Sequence, residues 1–224
     1  DLFDVVFSSS RLARDKTGTL DVVSNLGTYV SVGYNDDYGI YTSTFSGTPV
    51  KTVGSGYYRM HYSDKSAFKR ALKDGFSIEM LFRPGEIPSS GYQGLLSSLY
   101  DGGFGLRMNG SEAVFTVCCD EELTLKTPAL ESGKFYHVVC VWDFVSGKTE
   151  LYMDGELIRE GKTSGNLKFP ADEASHWLCI GANCNTNINY ARHTFNGEVA
   201  IARIYDASLT EANVTSLYSK VMRP

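Results

Sequence analysis

The chain has 224 residues, with 21 Lys and Arg against 26 Asp and Glu, which gives a net charge of −5. The basic residues are scattered and no apolar run is long enough to cross a bilayer as a helix, so composition excludes a nucleic-acid partner and membrane insertion. With 22 Gly, 14 Tyr and 12 Phe, the chain is typical of a fold with many short strands and tight turns. Its length suits one β-sandwich domain, residues 1–224, whose core needs neither metal nor disulfide.

The first third of the chain predicts short outer strands followed by one short helix. Four β-like runs, bordered by glycines, cover Val5–Phe7, Leu20–Val23, Tyr29–Val32 and Ile40–Phe45. Apolar residues at helical spacing then predict a helix over Ser66–Lys73, and Gly75 supplies its stop signal. We expect a core strand to begin at Phe76.

A strand that is apolar on both faces is predicted at Tyr136–Asp143. Such a strand lies in the middle of a sandwich, because other layers cover both of its faces. We therefore place Trp142 in the core rather than on a sugar-binding surface, where aromatic side chains are exposed. Farther along, Asp154-Gly155 predicts a type I′ hairpin, since both central positions of that turn need a positive φ.

The last thirty residues change from a strand to a helix. The strand over Phe195–Asp206 is predicted to have a small-residue face opposite a packed face made by Val199, Ile201, Arg203 and Tyr205. Ser208 and Glu211 then fit the S-x-x-E capping box, which predicts the start of a closing amphipathic helix.

Three phrases of this sequence resemble, in the same order, those of the laminin G-like branch of the concanavalin A-like jelly rolls. They are the core strand Phe76–Pro84, the central hairpin Tyr136–Gly155 and the closing phrase Phe195–Glu211. The resemblance covers Phe76–Tyr218 well and the first 75 residues loosely. It implies an all-β fold, namely a two-sheet antiparallel jelly-roll sandwich with one or two short helices.

A narrower resemblance rests on Ala67–Gly75 and Trp177–Gly181. These segments resemble the C-terminal domain attached to some secreted calcineurin-like phosphohydrolases of gut bacteria. The resemblance implies a bacterial protein that is secreted, periplasmic or on the cell surface, and an attached catalytic domain as a partner.

The five cysteines leave the redox compartment open, because an odd number cannot all pair within one chain. Cys179 and Cys184 are close enough in sequence to form a small loop staple, and buried free thiols are the alternative. No C-x₂-C pair occurs, and the four histidines lack the spacing of zinc ligands.

Catalytic motifs are missing from the sequence. Glycosidases on related jelly rolls use paired carboxylates, which an E-x-D-x-x-E run can supply, and no such run occurs here. Serine-hydrolase, zinc-protease and P-loop signatures are missing as well. A hydrolytic alternative would have to assemble its acid pair from separate strands, for example Glu79 with Glu150 or Glu198. We therefore predict a domain that is not itself an enzyme.

The remaining chemistry lies in loops. Oxygen-rich clusters permit a calcium ion, as in many laminin G-like domains, although solvated surface charge is the alternative and no cofactor is required; the clusters are Asn35–Asp37, Asp101, Asp120–Glu122 and Asp172–Glu173. The Asn-rich segment 182–193 either serves turns with positive φ or hydrogen-bonds a sugar or peptide. For ligand binding, the candidate residues are Tyr100, Trp177, Tyr190, Arg192 and His193.

These observations predict a non-catalytic recognition or accessory module whose partner is a glycan or an attached catalytic domain. The preference for carbohydrate comes from the resemblance, since a fold does not determine a function. The alternatives are a structural domain that packs against a phosphohydrolase domain, and a glycoside hydrolase.

Overall fold

The computed structural model is a sandwich of two antiparallel β-sheets. It describes residues 3–8, 11–15, 23–25, 31–35, 39–43, 57–62, 67–183 and 193–221, with the backbone alone for residues 3–60 and 67. Every strand pair in these residues is antiparallel. The predicted all-β jelly-roll sandwich is confirmed. None of the helices in these ranges is long and apolar enough to span a membrane.

Nine strands of the described residues form sheet 1 and seven form sheet 2. In chain order the strands are β1 (Phe3–Ser8), β2 (Arg11–Asp15), β3 (Val23–Asn25), β4 (Ser31–Asn35), β5 (Gly39–Ser43), β6 (Tyr57–His61), β7 (Gly75–Pro84), β8 (Tyr92–Ser97), β9 (Phe104–Asn109), β10 (Glu112–Cys118), β11 (Glu122–Lys126), β12 (Tyr136–Asp143), β13 (Lys148–Met153), β14 (Glu156–Lys162), β15 (Trp177–Ile180) and β16 (Gly197–Tyr205). The helices are α1 (Ala67–Ala71), α2 (Glu211–Val221) and a short 3₁₀ helix (Glu173–Ser175). Sheet 1 has the order β14-β13-β12-β7-β16-β1-β2, with β5 also on β16 and β4 on β5, and sheet 2 has the order β11-β10-β9-β8-β15-β6-β3.

Three strands from distant parts of the sequence form the centre of sheet 1. Strand β7 lies between β12 and β16, with Glu79 opposite both Val139 and Arg203. This arrangement confirms that the segments around Phe76, Val139 and Ile201 belong to one antiparallel layer. The N-terminal strands β2 and β3 are at sheet edges, as predicted for the first segment.

Aromatic rings fill the space between the two sheets. The ring centroid of Phe76 in sheet 1 lies 4.5 Å from that of Phe104 in sheet 2 and 5.6 Å from that of Trp142. All three side chains are buried, and burying a phenylalanine contributes about 1.5–3 kcal/mol. Trp142 is therefore a core residue, as predicted.

Helix α2 covers the outer face of sheet 1. Its Val214 is buried in a second, smaller apolar cluster with Val139, Val141 and Tyr152, and Leu209 packs at the edge. Strand β12 is consequently buried on both faces, which confirms the prediction from its two apolar faces.

The predicted capping box of Ser208 and Glu211 is wrong. Thr210 and Asn213 cap α2, because the side chain of each accepts a hydrogen bond from the backbone N–H of the other, at 3.3 and 3.1 Å. The helix begins at Glu211, so Ser208 lies two residues before the cap. The Ser208 hydroxyl instead lies 3.1 Å from the carbonyl oxygen of Trp142.

A β-bulge in β16 changes which residues face the core. The register with β7 shifts between Val199 and Ile201. Val199 faces the core before the bulge, whereas Ala202 and Ile204 face it afterwards, which leaves Arg203 on the outer face. The predicted packed face is therefore correct only for Val199, because one extra residue inverts the alternation of side chains.

Two turn residues were predicted correctly. Asp154 and Gly155 have φ of 52° and 85°, as a type I′ hairpin requires. Helix α1 is shorter than the predicted Ser66–Lys73, and Gly75, with a φ of 127°, begins β7. A Cβ at Gly75 would lie 2.8 Å from the carbonyl oxygen of Trp142, so close packing adds to the requirement for glycine.

The cysteines differ in what the structure tests. In the described residues, Cys118, Cys119 and Cys140 are free thiols. Burial raises the pKa of the Cys140 thiol well above its usual value, so this side chain behaves as a small apolar residue. Cys179 is buried, and its predicted pairing with Cys184 stays a prediction because Cys184 lies outside the described residues.

Candidate functional site

The loops of the sandwich gather at two opposite ends. The first end contains the loops at residues 98–103, 119–121, 144–147 and 163–168. The second end contains the loops at residues 85–91, 110–111, 127–135, 154–155 and 193–196. At the first end the N–H of Asp120 donates to the carbonyl of Ser164 at 3.1 Å, which joins loops of the two sheets.

A cleft of about 640 Å³ opens at the first end. One wall is the loop 144–147 between β12 and β13, and the other is the segment 162–166 that leaves β14, with Glu121 beside them. Phe144 and Val145 leave 38% and 88% of their surface exposed. The cleft therefore presents an aromatic ring and an apolar side chain opposite hydroxyl, amide and ammonium groups.

Hydrogen bonds hold the floor of the cleft in place. The N–H of Thr163 donates to the carbonyl of Gly147 at 3.0 Å, and the Thr163 hydroxyl donates to the carbonyl of Glu121 at 3.0 Å. Gly147 has a φ of 68°, and a Cβ there would lie 2.4 Å from the Thr163 carbonyl oxygen. Glycine is required at this position by both its dihedral angle and the close backbone approach.

Asp143 fixes the loop that carries Phe144. Its Oδ1 accepts hydrogen bonds from the N–H and the hydroxyl of Ser146, both at 2.7 Å. These hydrogen bonds hold the pKa of Asp143 below its usual value. The Phe144 ring also packs edge-on against Trp142, with 6.1 Å between centroids. The exposed ring is thus held in position before any ligand arrives.

The structure separates the predicted ligand-binding residues. Tyr100 and Trp177 lie at the first end, whereas His193 lies at the second end. The indole N–H of Trp177 donates to a backbone carbonyl at 2.8 Å. Tyr190 and Arg192 lie outside the described residues, and the three described candidates do not line the cleft.

A second group of side chains lies on the outer face of sheet 2, and we call it the Arg107 cluster (Tyr92, Arg107 and His193). The guanidinium carbon of Arg107 lies 4.0 Å from the centroid of the Tyr92 ring. His193 meets the same ring edge-on, with 6.3 Å between centroids. Gly94 lies opposite Arg107, and its N–H donates to the His193 carbonyl at 2.7 Å.

Arg107 is half-buried and has no counter-ion among the residues that the structure describes. Its Nε is buried and has no hydrogen-bond acceptor in the same part of the chain. A buried donor without an acceptor costs about 1–3 kcal/mol. Burial, and then Glu122, raise the pKa of Cys118 to about 12, while the charge of Arg107 opposes that rise. The positive charge of Arg107 therefore acts over this face of sheet 2.

Sequence reasoning missed Phe144, Tyr92 and Arg107. A phenylalanine directly after the buried Trp142 resembles a continuation of the core strand. The turn signal Ser146-Gly147 could have placed Phe144 in a loop. No signal in one strand pairs Arg107 with Tyr92, because their contact depends on the register between β8 and β9.

A laminin G-type family model, described as the concanavalin A-like lectin/glucanases superfamily, matches residues 53–215. The chain belongs to this superfamily. No curated protein sequence matches it.

Solved structures with the same fold include binding domains of botulinum neurotoxins. The binding domain of botulinum neurotoxin DC in complex with SialylT has a TM-score of 0.72 at 14% identity, over 99% of this chain and 51% of that chain. A structure of botulinum neurotoxin type C, whose title refers to two ganglioside molecules, has a TM-score of 0.73 at 14% identity, over 99% and 51%. The DC binding domain in complex with rat synaptotagmin II has a TM-score of 0.71 at 14% identity, over 98% and 51%. The chain thus spans about half the length of these structures.

The glutamate pairs suggested for a glucanase of this superfamily do not meet. Retaining and inverting glycosidases place their carboxyl groups about 5–5.5 Å or about 6.5–9.5 Å apart. The strand register places Glu198 about 13 Å along the sheet from Glu79, and Glu150 about 12 Å away across two strands. Glu198 forms an ion pair with Arg83, and Glu150 forms one with Lys148 at 2.5 Å.

Glu79 is instead the centre of a fully buried ionic cluster beneath α2. Its carboxylate accepts hydrogen bonds from His137 Nε2 at 3.0 Å, Arg203 Nη1 at 3.2 Å and the Tyr205 hydroxyl at 2.5 Å. Burial raises the pKa of Glu79, but the hydrogen bonds from His137 and Tyr205 and the charge of Arg203 outweigh it, so the pKa lies below its usual value. Tyr218 of α2 packs over His137, with 5.9 Å between centroids. The cluster therefore joins the helix to the sheet.

The structure assigns a local role to one of the oxygen-rich clusters. Asp172 caps the 3₁₀ helix, since its Oδ1 accepts a hydrogen bond from the N–H of Ala174 at 3.0 Å. Within the described ranges, no group of three or more His, Cys, Asp or Glu side chains is placed to hold a metal ion. Backbone carbonyls also bind calcium, so the calcium site stays a prediction.

Proposed function

We propose that the chain is a non-catalytic recognition module of a secreted or cell-surface bacterial protein, and that it binds carbohydrate in the cleft at the first end. The observation that carries this proposal is the exposed Phe144 ring, which is held by Trp142 and Asp143 above a polar wall. A large apolar ring beside a few convergent polar groups is typical of a small-ligand site.

The two walls of the cleft suit the two sides of a sugar. The apolar face of a pyranose ring stacks on Phe144. Ser146, Ser164 and Asn166 offer hydroxyl and amide groups to sugar hydroxyls. Since the floor is already hydrogen-bonded through Thr163, binding orders few groups and loses little entropy.

The solved structures support this proposal at the level of the fold. Two of the neurotoxin titles name a sialylated ligand or gangliosides. The match covers about half of each neurotoxin chain, so it does not assign those ligands to the matched half. The proposal therefore depends on the cleft of this chain.

A glycan array followed by titration tests the proposal. We expect wild-type chain to bind a subset of neutral glycans, and Phe144→Ala to weaken that binding about tenfold or more, because the lost aromatic contact is worth about 1.5–3 kcal/mol. Leu157→Ala is the matched control, since Leu157 is an exposed apolar residue of β14 outside the cleft. Binding that survives Phe144→Ala unchanged would contradict the proposed site. A chelator arm is expected to leave binding unchanged, because the proposed contacts require no metal.

A second candidate function is packing against an attached phosphohydrolase domain. Val145 favours it, since a side chain with 88% of its surface exposed at a loop tip suits a protein contact. The exposed large apolar residues of the described chain are otherwise scattered over strands and loops, which favours the glycan site. Slower amide exchange of residues 144–147 in the full-length protein than in this chain alone would support packing.

A further inference from the structure

We infer that the Arg107 cluster is a second binding site, separate from the cleft, for a sugar that carries a carboxylate. The cluster lies on the outer face of sheet 2 toward the second end, whereas the cleft lies at the first end. The choice of a sugar rests on the proposed function, whereas the choice of a carboxylate rests on the surroundings of Arg107.

The guanidinium of Arg107 is oriented without an internal partner. Tyr92 stacks under it at 4.0 Å, which fixes the plane of the guanidinium. No carboxylate of the described chain pairs with it, and its buried Nε has no acceptor there. A planar guanidinium that is held in place and lacks a counter-ion matches a carboxylate through two parallel N–H donors.

The neighbouring groups leave room for such a ligand. Gly94 lies opposite Arg107 on β8, so no side chain from the adjacent strand competes for the same space. Tyr92 is 39% exposed, and its exposed ring surface can contact a sugar ring. His193 is exposed beside that ring. The cluster thus combines a cation, an aromatic surface and an imidazole on one patch.

The test uses glucuronate, glucose and acetate as probes with ¹⁵N-labelled protein. We expect glucuronate to shift the Arg107 Nε–H resonance in a saturable, salt-sensitive manner, glucose to leave it unchanged and acetate to act more weakly than glucuronate. Arg107→Gln should weaken glucuronate binding about 10- to 100-fold, because hydrogen bonds between charged groups are lost. Arg107→Lys should recover only part of that loss, since it keeps the charge but not the planar guanidinium.

Arg159→Gln is the matched control, because Arg159 is an exposed arginine of β14 that donates to the carbonyl of Ile158. The unfolding temperature of each variant separates loss of binding from loss of fold. Unchanged glucuronate binding in Arg107→Gln, no shift with glucuronate, or equal shifts with acetate would overturn the inference. The proposed function has a different point of failure, since neutral glycans and Phe144→Ala test the cleft alone.

Discussion

The Glu79 carboxylate accepts three hydrogen bonds in a site from which water is excluded. An ionised carboxylate only accepts hydrogen bonds, so His137 Nε2 carries the proton that it shares with Glu79. The buried Nδ1 of His137 has no hydrogen-bond partner among the described residues. Burial and the charge of Glu79 raise the pKa of Tyr205, which keeps its hydroxyl a donor. The cluster is therefore stable only while Glu79 is charged.

Acid should weaken the fold through Glu79. Because the pKa of Glu79 in the folded chain lies below its ordinary value of 4.5, its contribution to stability is fully present above pH 4.5 and is lost as the pH falls through the folded-state pKa. Urea unfolding measured between neutral pH and the acid limit should show a falling free energy of unfolding in that window. A stability that rises on acidification there would contradict the account.

Removing the charge of Glu79 should have a large effect at neutral pH. We expect Glu79→Gln to lower the free energy of unfolding by about 3 kcal/mol, because it leaves the Arg203 charge without its partner, and to flatten the acid dependence. Glu160→Gln is the control, since Glu160 lies on the surface 3.7 Å from Lys148, where such pairs contribute about 0–1 kcal/mol. Equal effects of the two changes would show that the buried cluster has no special role.

At the scale of elements, the start of α2 depends on the reciprocal cap of Thr210 and Asn213. Thr210→Ala should lower the free energy of unfolding by about 1 kcal/mol, because an N–H at the helix start loses its acceptor. Ser216→Ala is the control, since Ser216 is an exposed residue inside α2. Chemical denaturation of both variants checks the prediction, and a neutral Thr210→Ala would contradict this cap.

The elements that sequence predicted well have strong local signals. The Asp154-Gly155 turn and the two apolar faces of β12 each follow from a few adjacent residues. The bulge between Val199 and Ile201 could not be predicted, because it depends on how β16 pairs with β7. The cap was misplaced because Ser208 and Thr210 both suit the start of a helix, and only packing on sheet 1 selects Thr210.

On the scale of the whole molecule, the sandwich protects most of its sheet surface. Helix α2 covers the outer face of sheet 1. Along one side, edge strands β11 and β14 lie close together, and a Cβ on Gly161 would lie 3.1 Å from Leu123. Exposed charged residues such as Arg159 and Glu160 on β14 oppose pairing with another chain. Loops and the outer face of sheet 2 are therefore the surfaces left for recognition in the described residues.

The candidate sites were less predictable than the fold. Of the described candidates, only His193 lies in one of the two sites, because Tyr100 and Trp177 are separated from it by the length of the strands. A binding site combines residues from several loops, and one sequence does not give the distances between loops. Phe144 acquires its exposure from the turn that Asp143 holds.

Chemical-shift mapping with an array-selected neutral glycan tests the central claim most directly. The account predicts shifts concentrated at residues 144–147 and 162–166, which line the cleft, and little change in α2. Shifts confined to α2 or to the loops of the second end would contradict it.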